Sequence, residues 1–361
     1  MITKIGDFKK KLKLGGGSSV NKQLLGVIDA TTFHEDLEEL TIQRSVAAVP
    51  FAGRYRLIDF VLSSMVNSGI KSVAIFPKFQ YRSLMDHLGT GRSWDLNRKR
   101  DGLFLFSPSS YQSQEDGIGT FQNFSENVDF FLRCTQEYTL IANCFTVSNI
   151  DFRKILQSHI ETQCDITEIR HDGKSLGMYI LKTSLLVELI ENHKKTGYTC
   201  MKDVVSDLQH QYKLCFQYYE GYAVMIDSIK KYHTTSLELL QPSIWKSLFL
   251  KEQPIYTKVM DEPPTRYSQG ASIQNSMIAN GCQIEGKVEN SIIARGVKIG
   301  KNTVIRNCVI LQKCKIEDDC VLENVILDKD VTIESERTIK SSSTSPLVLR
   351  KGTVQGALLN S

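Results

Sequence analysis

Residues 290–316 read Asn290-Ser-Ile-Ile-Ala-Arg-Gly-Val-Lys-Ile-Gly-Lys-Asn-Thr-Val-Ile-Arg-Asn-Cys-Val-Ile-Leu-Gln-Lys-Cys-Lys-Ile. Ile293, Ile299 and Ile305 stand six apart, and so do Ile310, Ile316 and Leu322. Val297, Thr303 and Val309 keep the same step in a second register. A longer unit lies on top of it. Asn290-Ser-Ile-Ile, Asn307-Cys-Val-Ile and Asn324-Val-Ile-Leu recur at 17 residues, and Asn275-Ser-Met-Ile stands 15 before the first. A six-residue period is the signature of a parallel β-helix. Three short strands make one triangular coil of about 18 residues, and corners absorb a deletion. Each coil buries its inward residue against the coils above and below. Such a prism has edges and flat faces on which subunits pair, but the repeat itself carries no chemistry.

Cys308, Cys314 and Cys320 share the six-residue step and invite a metal reading. Residues six apart occupy equivalent places on successive faces of the prism. They do not converge on one ion, so the cysteines read as small buried hydrophobes. Nine cysteines, an odd count, do not read as a disulfide framework. No apolar run of 18 residues is present and the N-terminus lacks the apolar core of a secretory signal. A cytoplasmic location with reduced thiols is the expectation.

At 361 residues the chain has room for two domains, and 41% hydrophobic with 23% charged residues is ordinary globular composition. The net charge of +4 misleads. Lys4, Lys9, Lys10, Lys11 and Lys13 against Asp7 already give +4, so the remainder is close to neutral and no nucleic-acid surface is indicated. Gly15-Gly16-Gly17-Ser18-Ser19 reads as a flexible linker, which makes residues 1–20 a flexible or atypical extension.

Before the repeat, short apolar runs alternate with helical stretches. Leu24-Leu-Gly-Val-Ile, Val73-Ala-Ile-Phe and Tyr138-Thr-Leu-Ile-Ala read as buried parallel strands. Arg56 to Gly69 and Gln80 to Leu88 read as amphipathic helices. The expected class is α/β with a mostly parallel sheet. Ligands of such sheets bind beyond the carboxyl ends of the strands, which points to the loop from Asp29 to Leu40.

Several separated motifs resemble one family. Arg44-Ser-Val-Ala-Ala-Val-Pro-Phe-Ala-Gly-Arg-Tyr-Arg-Leu-Ile-Asp-Phe-Val-Leu-Ser, Asn67-Ser-Gly-Ile, Trp94-Asp-Leu-Asn-Arg, Gly119-Thr and Pro254-Ile-Tyr-Thr-Lys are similar to the bacterial glucose-1-phosphate adenylyltransferases, the ADP-glucose pyrophosphorylases. The resemblance spans residues 24–361. It implies a Rossmann-like nucleotidyltransferase domain over residues 21–250, a linker over 251–270 and a left-handed parallel β-helix over 271–361. The family joins ATP and glucose 1-phosphate into ADP-glucose and pyrophosphate for glycogen or starch synthesis. A magnesium ion assists the attack on the α-phosphorus.

This chain departs from the family where the chemistry should be. The family's first loop has the form G-G-x-G-x-R-L, whose glycines bring backbone amides to the triphosphate. Here the glycine positions are Thr31, Thr32 and His34, and the arginine position is Asp36, flanked by Glu35, Glu38 and Glu39. Those carboxylates either repel a triphosphate or form the solvated first turn of a helix. The family's acidic positions fall on Gln122, Cys144 and Met225. Magnesium prefers hard, anionic oxygen ligands, which this set does not supply, and Asp227 stands two residues off. No metal and no other cofactor is expected on this chain. Magnesium belongs to a catalytic partner.

A sugar-binding segment with an F-x-E-K-P motif is reduced to Arg170–Lys174, either by true deletion or by omission of residues. The lysine that the family associates with effectors is Val46. Arg44, Arg54, Arg56, Lys202 and Asp203 remain as candidate ligand or effector contacts, with pairing to Asp59 or a neighbour as the structural alternative for Arg54 and Arg56.

This pattern resembles the GlgD-type branch of Gram-positive bacteria. It implies a non-catalytic or weakly catalytic regulatory subunit, joined to a catalytic GlgC-type subunit, as a heterotetramer. A sugar-phosphate effector is a candidate ligand, and neither nucleic acid nor membrane is a partner. The rivals are an active nucleotidyltransferase with an unusual metal site and an independent scaffold or metabolite sensor. A hexapeptide acyltransferase would carry a histidine in its coils, and residues 271–333 contain none.

Overall fold

In the strand Leu24–Ala30 all seven residues are buried, which accounts for its nearly unbroken apolar sequence. The computed structural model describes residues 23–78, 80–108, 117–207, 209 and 211–356. The expected extension at residues 1–20 lies outside them. Leu24–Ala30 pairs in parallel with Ser72–Pro77 on one side and Tyr138–Asn143 on the other. The full sheet runs Leu214–Tyr218, Ile166–His171, Lys174–Lys182, Tyr138–Asn143, Leu24–Ala30, Ser72–Pro77, Gly102–Leu105. Lys174–Lys182 is antiparallel to both of its neighbours. The chain leaves the first strand toward Ser72–Pro77 and Gly102–Leu105, then returns to Tyr138–Asn143 on the other flank. The crevice beyond Asp29 and Asn143 is therefore the topological switch point, where such sheets bind ligands.

Two apolar layers cover the sheet. Phe60, Leu62, Phe145 and Tyr232 lie in one, and Phe121, Phe124, Phe131, Leu186 and Leu189 in the other. The helix Leu57–Asn67, expected to be amphipathic, is instead buried at every position from Leu57 to Met65. A helix buried all round needs cover on all sides, and its polar side chains need partners there. The segment after Gln253 provides part of it. Asn67 Nδ2 donates to the Pro254 carbonyl at 3.0 Å, and the Tyr256 amide donates to Ser63 Oγ at 2.8 Å. Ser64 and Ser68 accept from the Ile150 and Phe152 amides, so the serines of this buried helix hold neighbouring backbone.

The C-terminal domain is a prism of three parallel sheets, of six, five and five strands. Ile284, Ile299, Ile316 and Ile333 stack on one face. Val288, Ile305, Leu322 and Ile339 stack on the second, and Ile278, Ile293, Ile310 and Leu327 on the third. This is the expected β-helix, and hexad steps place successive isoleucines on successive faces. The recurring asparagines are its corners. Asn275, Asn290, Asn307 and Asn324 all have φ between 41° and 56°, the left-handed conformation that asparagine tolerates best among residues with a side chain. The first strand of the prism, Arg266–Tyr267, already pairs with Gln283–Ile284, so the helix begins before Ala271.

Cys308, Cys314 and Cys320 are buried in the prism core beside Val297 and Ile299. Two other cysteines correct the expectation of reduced thiols alone. Cys164 and Cys215 form a disulfide with Cα atoms 6.1 Å apart, tying the start of Ile166–His171 to the edge strand Leu214–Tyr218. The other seven are free. The two domains share one core, since Val309, Leu311, Ile326 and Val348 of the β-helix pack into the layer around Phe60.

Candidate functional site: a degenerate nucleotide crevice

At the end of the first strand stands Asp29, with a side chain that is 1% exposed. Its Oδ1 accepts from the Thr31 amide at 2.8 Å and from Thr31 Oγ1 at 2.6 Å. Its Oδ2 accepts from the Gly119 amide at 2.6 Å and the Thr120 amide at 3.4 Å. Gly119 has φ +76°, and a Cβ there would also press on Met201, so glycine is required for its amide to turn inward. Burial holds the pKa of Asp29 above the ordinary carboxylate value, and the hydrogen bonds from Thr31, Gly119 and Thr120 offset only part of that rise. Three of the four donors are N–H groups, which cannot accept, so the geometry is that of a carboxylate. Sequence reading passed over Asp29 because its partners lie about 90 residues away.

The loop after it holds Thr31, Thr32 and His34, all half-buried, at the family's glycine positions. His34 packs edge-on against Phe145 with ring centres 4.6 Å apart. Asp36 and Glu35 are exposed on the short turn Glu35–Leu37, whose Leu37 is buried. The acidic run is thus the solvated turn of a helix and is not aimed into the crevice.

Of the three positions of lost carboxylates, Cys144 lies next to Asp29. Cys144 is fully buried and its thiol is pushed far up, by burial first and then by the Asp29 charge. Gln122 lies half-buried on Phe121–Ser125, and Met225 lies half-buried opposite Thr146. Asn143 fills the space beside them. Its Nδ2 donates to the Leu176 carbonyl at 2.7 Å, and its Oδ1 accepts from the Phe145 amide and Thr146 Oγ1. These residues do not fit magnesium. They offer an amide, a thiol and a thioether, and both Asp29 oxygens already accept from amides. Among the described residues no three His, Cys, Asp or Glu side chains come together for a metal. Asp227 pairs with Lys231 at 2.5 Å and faces outward.

Where the resemblance implies a sugar-binding segment, this chain makes a tight hairpin. Ile166–His171 and Lys174–Lys182 form a hairpin with His171 opposite Lys174. Asp172 and Gly173 make its turn, with φ of 49° and 74°. Two positive φ values in a two-residue loop are the type I′ turn that suits a twisted hairpin.

The remaining candidates scatter. Asp203 caps its own helix, accepting from the Thr199 amide and hydroxyl at 2.7 Å and the Cys200 amide at 3.1 Å, and Lys202 beside it is exposed. Arg54 is exposed and lies over the Tyr55 ring. Val46 is buried. Arg56 donates to the Ala48 carbonyl and Ser83 Oγ, both at 2.8 Å. Asp59, the partner considered for it, accepts from the Arg56 backbone amide at 2.9 Å and bonds His87 Nε2 at 2.6 Å, rather than meeting the guanidinium group.

Arg44 and Arg56 belong together with a third cation that sequence reading missed. Lys329 has its pKa pushed down to about 7, by burial first and then by Arg56 and Arg44. Burial likewise lowers Arg56 to about 10. These cations lie where the N-terminal domain meets the β-helix.

Comparison with known proteins bears on both halves. Residues 35–174 match the family model described as Nucleotidyl transferase, and residues 261–344 the model described as GlmU-like, C-terminal hexapeptide. The chain is 52% identical over 341 residues to the glycogen biosynthesis protein GlgD of Bacillus subtilis, covering 94% of this chain and 99% of that protein. It is 58% identical to the GlgD of Geobacillus stearothermophilus, over 94% of this chain and all of that protein. It is 31% identical to the glucose-1-phosphate adenylyltransferase of Mycoplasma mobile, over 80% of this chain and 86% of that one. Among the described residues no helix is long and apolar enough to cross a membrane.

Proposed function

This chain belongs to the GlgD family of glycogen biosynthesis proteins, relatives of the glucose-1-phosphate adenylyltransferases, and from that premise we propose that it is a non-catalytic subunit. It supports ADP-glucose formation by a catalytic GlgC-type partner, within a heterotetramer. The observation that carries this is the Asp172-Gly173 turn. A two-residue turn cannot contact a sugar phosphate across the crevice, and no point replacement elsewhere substitutes for the missing segment. Gln122, Cys144 and Met225 point the same way, since they remove charge stabilisation worth several kcal/mol of barrier, roughly a thousandfold or more in rate. The test is turnover of the purified chain with ATP, magnesium and glucose 1-phosphate. No product above background is expected. Ordinary enzyme rates, with a contaminating enzyme excluded by mass spectrometry, overturn the proposal.

It also binds an anionic effector of sugar-phosphate type at Arg56 and Lys329, beside the Arg44–Asp328 pair. What supports this is Lys329 itself, a half-buried amine near Arg56 and Arg44 whose charge the Asp328 carboxylate only partly offsets. Thermal shift with fructose and glucose phosphates tests it. A rise that Lys329→Met abolishes supports it, and no rise in the unmodified chain contradicts it.

A further inference from the structure

The edge strand Leu214–Tyr218 is weakly held by its own side chains. None of its five residues is buried, and it pairs on one side only, in parallel with Ile166–His171. A segment with so little apolar burial opens at low free energy. The Cys164–Cys215 disulfide supplies an anchor that packing does not. It runs from the turn after the helix Phe152–Thr162 to the second residue of the strand, across a sequence separation of 51. Closing so long a loop removes much of the freedom of the opened chain. Cys215 is half-buried and Cys164 is 5% exposed, so an incoming thiolate reaches the Cys215 sulfur. In the cytoplasmic setting expected from the sequence, a disulfide is usually transient and redox-sensing. We propose that Cys164 and Cys215 form a reversible thiol–disulfide switch, which fixes the edge strand when oxidised and releases it when a dithiol reduces it.

The exchange balances without any group from outside the pair and its reductant. The reductant's thiolate attacks Cys215 Sγ, the S–S bond breaks, and Cys164 leaves with the electron pair and takes up a proton. The reductant's second thiol loses its proton and attacks the reductant sulfur of the mixed disulfide, and Cys215 leaves as the second thiol. Both cysteines are reduced and the dithiol is oxidised to its own disulfide. The released strand runs into Tyr219. Its amide donates to the Arg170 carbonyl at 2.8 Å, and its hydroxyl to the Asn149 carbonyl at 3.1 Å. Asn149 Nδ2 in turn donates to the Leu248 and Gln253 carbonyls at 2.9 and 2.8 Å, at the entry to the segment that leads to the β-helix. Beyond Tyr219 the chain enters Ala223–Met225, which pairs with Thr146–Ser148. The bond therefore steadies a strand whose continuation touches both the crevice and the linker.

The test uses the unmodified full chain, oxidised with oxidised glutathione, then exposed to increasing dithiothreitol, then oxidised again. Mass spectrometry of alkylated digests follows the linked Cys164–Cys215 peptide, circular dichroism follows the fold, and amide hydrogen exchange is read on the same samples. The linked peptide is expected after oxidation, to disappear with dithiothreitol while the chain stays folded, and to return on reoxidation. Exchange at residues 214–219 should quicken by roughly tenfold or more on reduction, with Leu24–Ala30 unchanged. The double change Cys164→Ser with Cys215→Ser should exchange at the fast rate with or without dithiothreitol. Three results overturn the proposal. The linked peptide never forms, so there is no couple. It yields only when the chain unfolds, so the bond is a fixed brace. Or it opens in the folded chain while exchange at 214–219 does not move, so the strand does not depend on it. Should the serine variant not fold, the oxidised and reduced forms of the unmodified chain decide alone.

Discussion

Arg44 of the N-terminal domain and Asp328 of the β-helix, 284 residues apart, face each other in a two-bonded ion pair. Nη1 and Nη2 each lie 2.9 Å from a carboxylate oxygen, and both side chains are 3% exposed. Arg44 Nη1 also donates to the Leu40 carbonyl, and the Lys329 amide donates to Asp328. The pair fastens the loop that follows the crevice to the prism. Arg44 is thereby committed to the domain interface, and a ligand beside it meets chiefly Arg56 and Lys329.

A buried pair broken on one side leaves an uncompensated charge. Arg44→Ala should therefore destabilise by about 3–5 kcal/mol, whereas the double change Arg44→Met with Asp328→Leu should recover most of that loss. Denaturant titration of the two variants checks this. A single variant as stable as the unmodified chain would mean that the pair is loose and solvated in solution.

In the β-helix, Ile299 stacks between Ile284 and Ile316 and is 2% exposed. Ile299→Asp places a charge in the prism core without a partner and should give insoluble or unfolded protein. Lys301 sits at an exposed corner, and Lys301→Ala should change stability by no more than about 0.5 kcal/mol. Expression yield and thermal midpoint distinguish the two, and equal behaviour would show the inward register to be wrong.

Restoring the lost carboxylates should not restore an enzyme. Cys144 is fully buried next to Asp29, so Cys144→Asp adds a like charge in a dry place and should cost about 2–5 kcal/mol. On the proposed reading, the triple change Gln122→Asp, Cys144→Asp, Met225→Asp should still yield no ADP-glucose, because the two-residue Asp172-Gly173 turn offers no segment to hold the sugar. A coupled pyrophosphate assay reads this. Turnover in the triple variant would show that the hairpin is no obstacle.

Lys329 predicts a pH dependence. Its folded pKa, about 7, lies below the ordinary 10.5. Between those values the unfolded chain holds a proton that the folded chain lacks, so stability rises with pH across that window. Below about pH 7 the folded state carries the half-buried ammonium, and its penalty is fully present. Lys329→Met removes this term. Measured by denaturant midpoint from pH 6 to about pH 10, the unmodified chain should gain on Lys329→Met as pH rises. Parallel curves would place the Lys329 amine in water.

The prism was legible from local pattern. A hexad step is itself the face-to-face geometry, and asparagine at 17-residue intervals marks a corner that needs positive φ. The open α/β half was legible in class, because its parallel strands are apolar runs. The burial of Leu57–Asn67 was not, since the segment after Gln253 that covers it lies nearly 200 residues downstream. For the site, the sequence offers only departures from a motif, each a single residue. What fills those positions was not legible. Asp29 meets Gly119, Arg44 meets Asp328, and Lys329 crowds Arg56 only after the chain has folded. The acidic run at Glu35–Glu39 drew attention by its charge, yet the structure gives the crevice to Asp29 and turns Glu35 and Asp36 to solvent.

The central claim is that a chain without chemistry of its own works through a catalytic partner. The most direct measurement is saturation kinetics of a glucose-1-phosphate adenylyltransferase at fixed concentration, with increasing amounts of this chain, after gel filtration of the mixture. Co-elution and a change of about 5- to 150-fold in the partner's rate or effector response are expected, the range that a coupling of about 1–3 kcal/mol produces. Separate elution with unchanged kinetics would contradict the account and leave an independent scaffold or sensor as the better description.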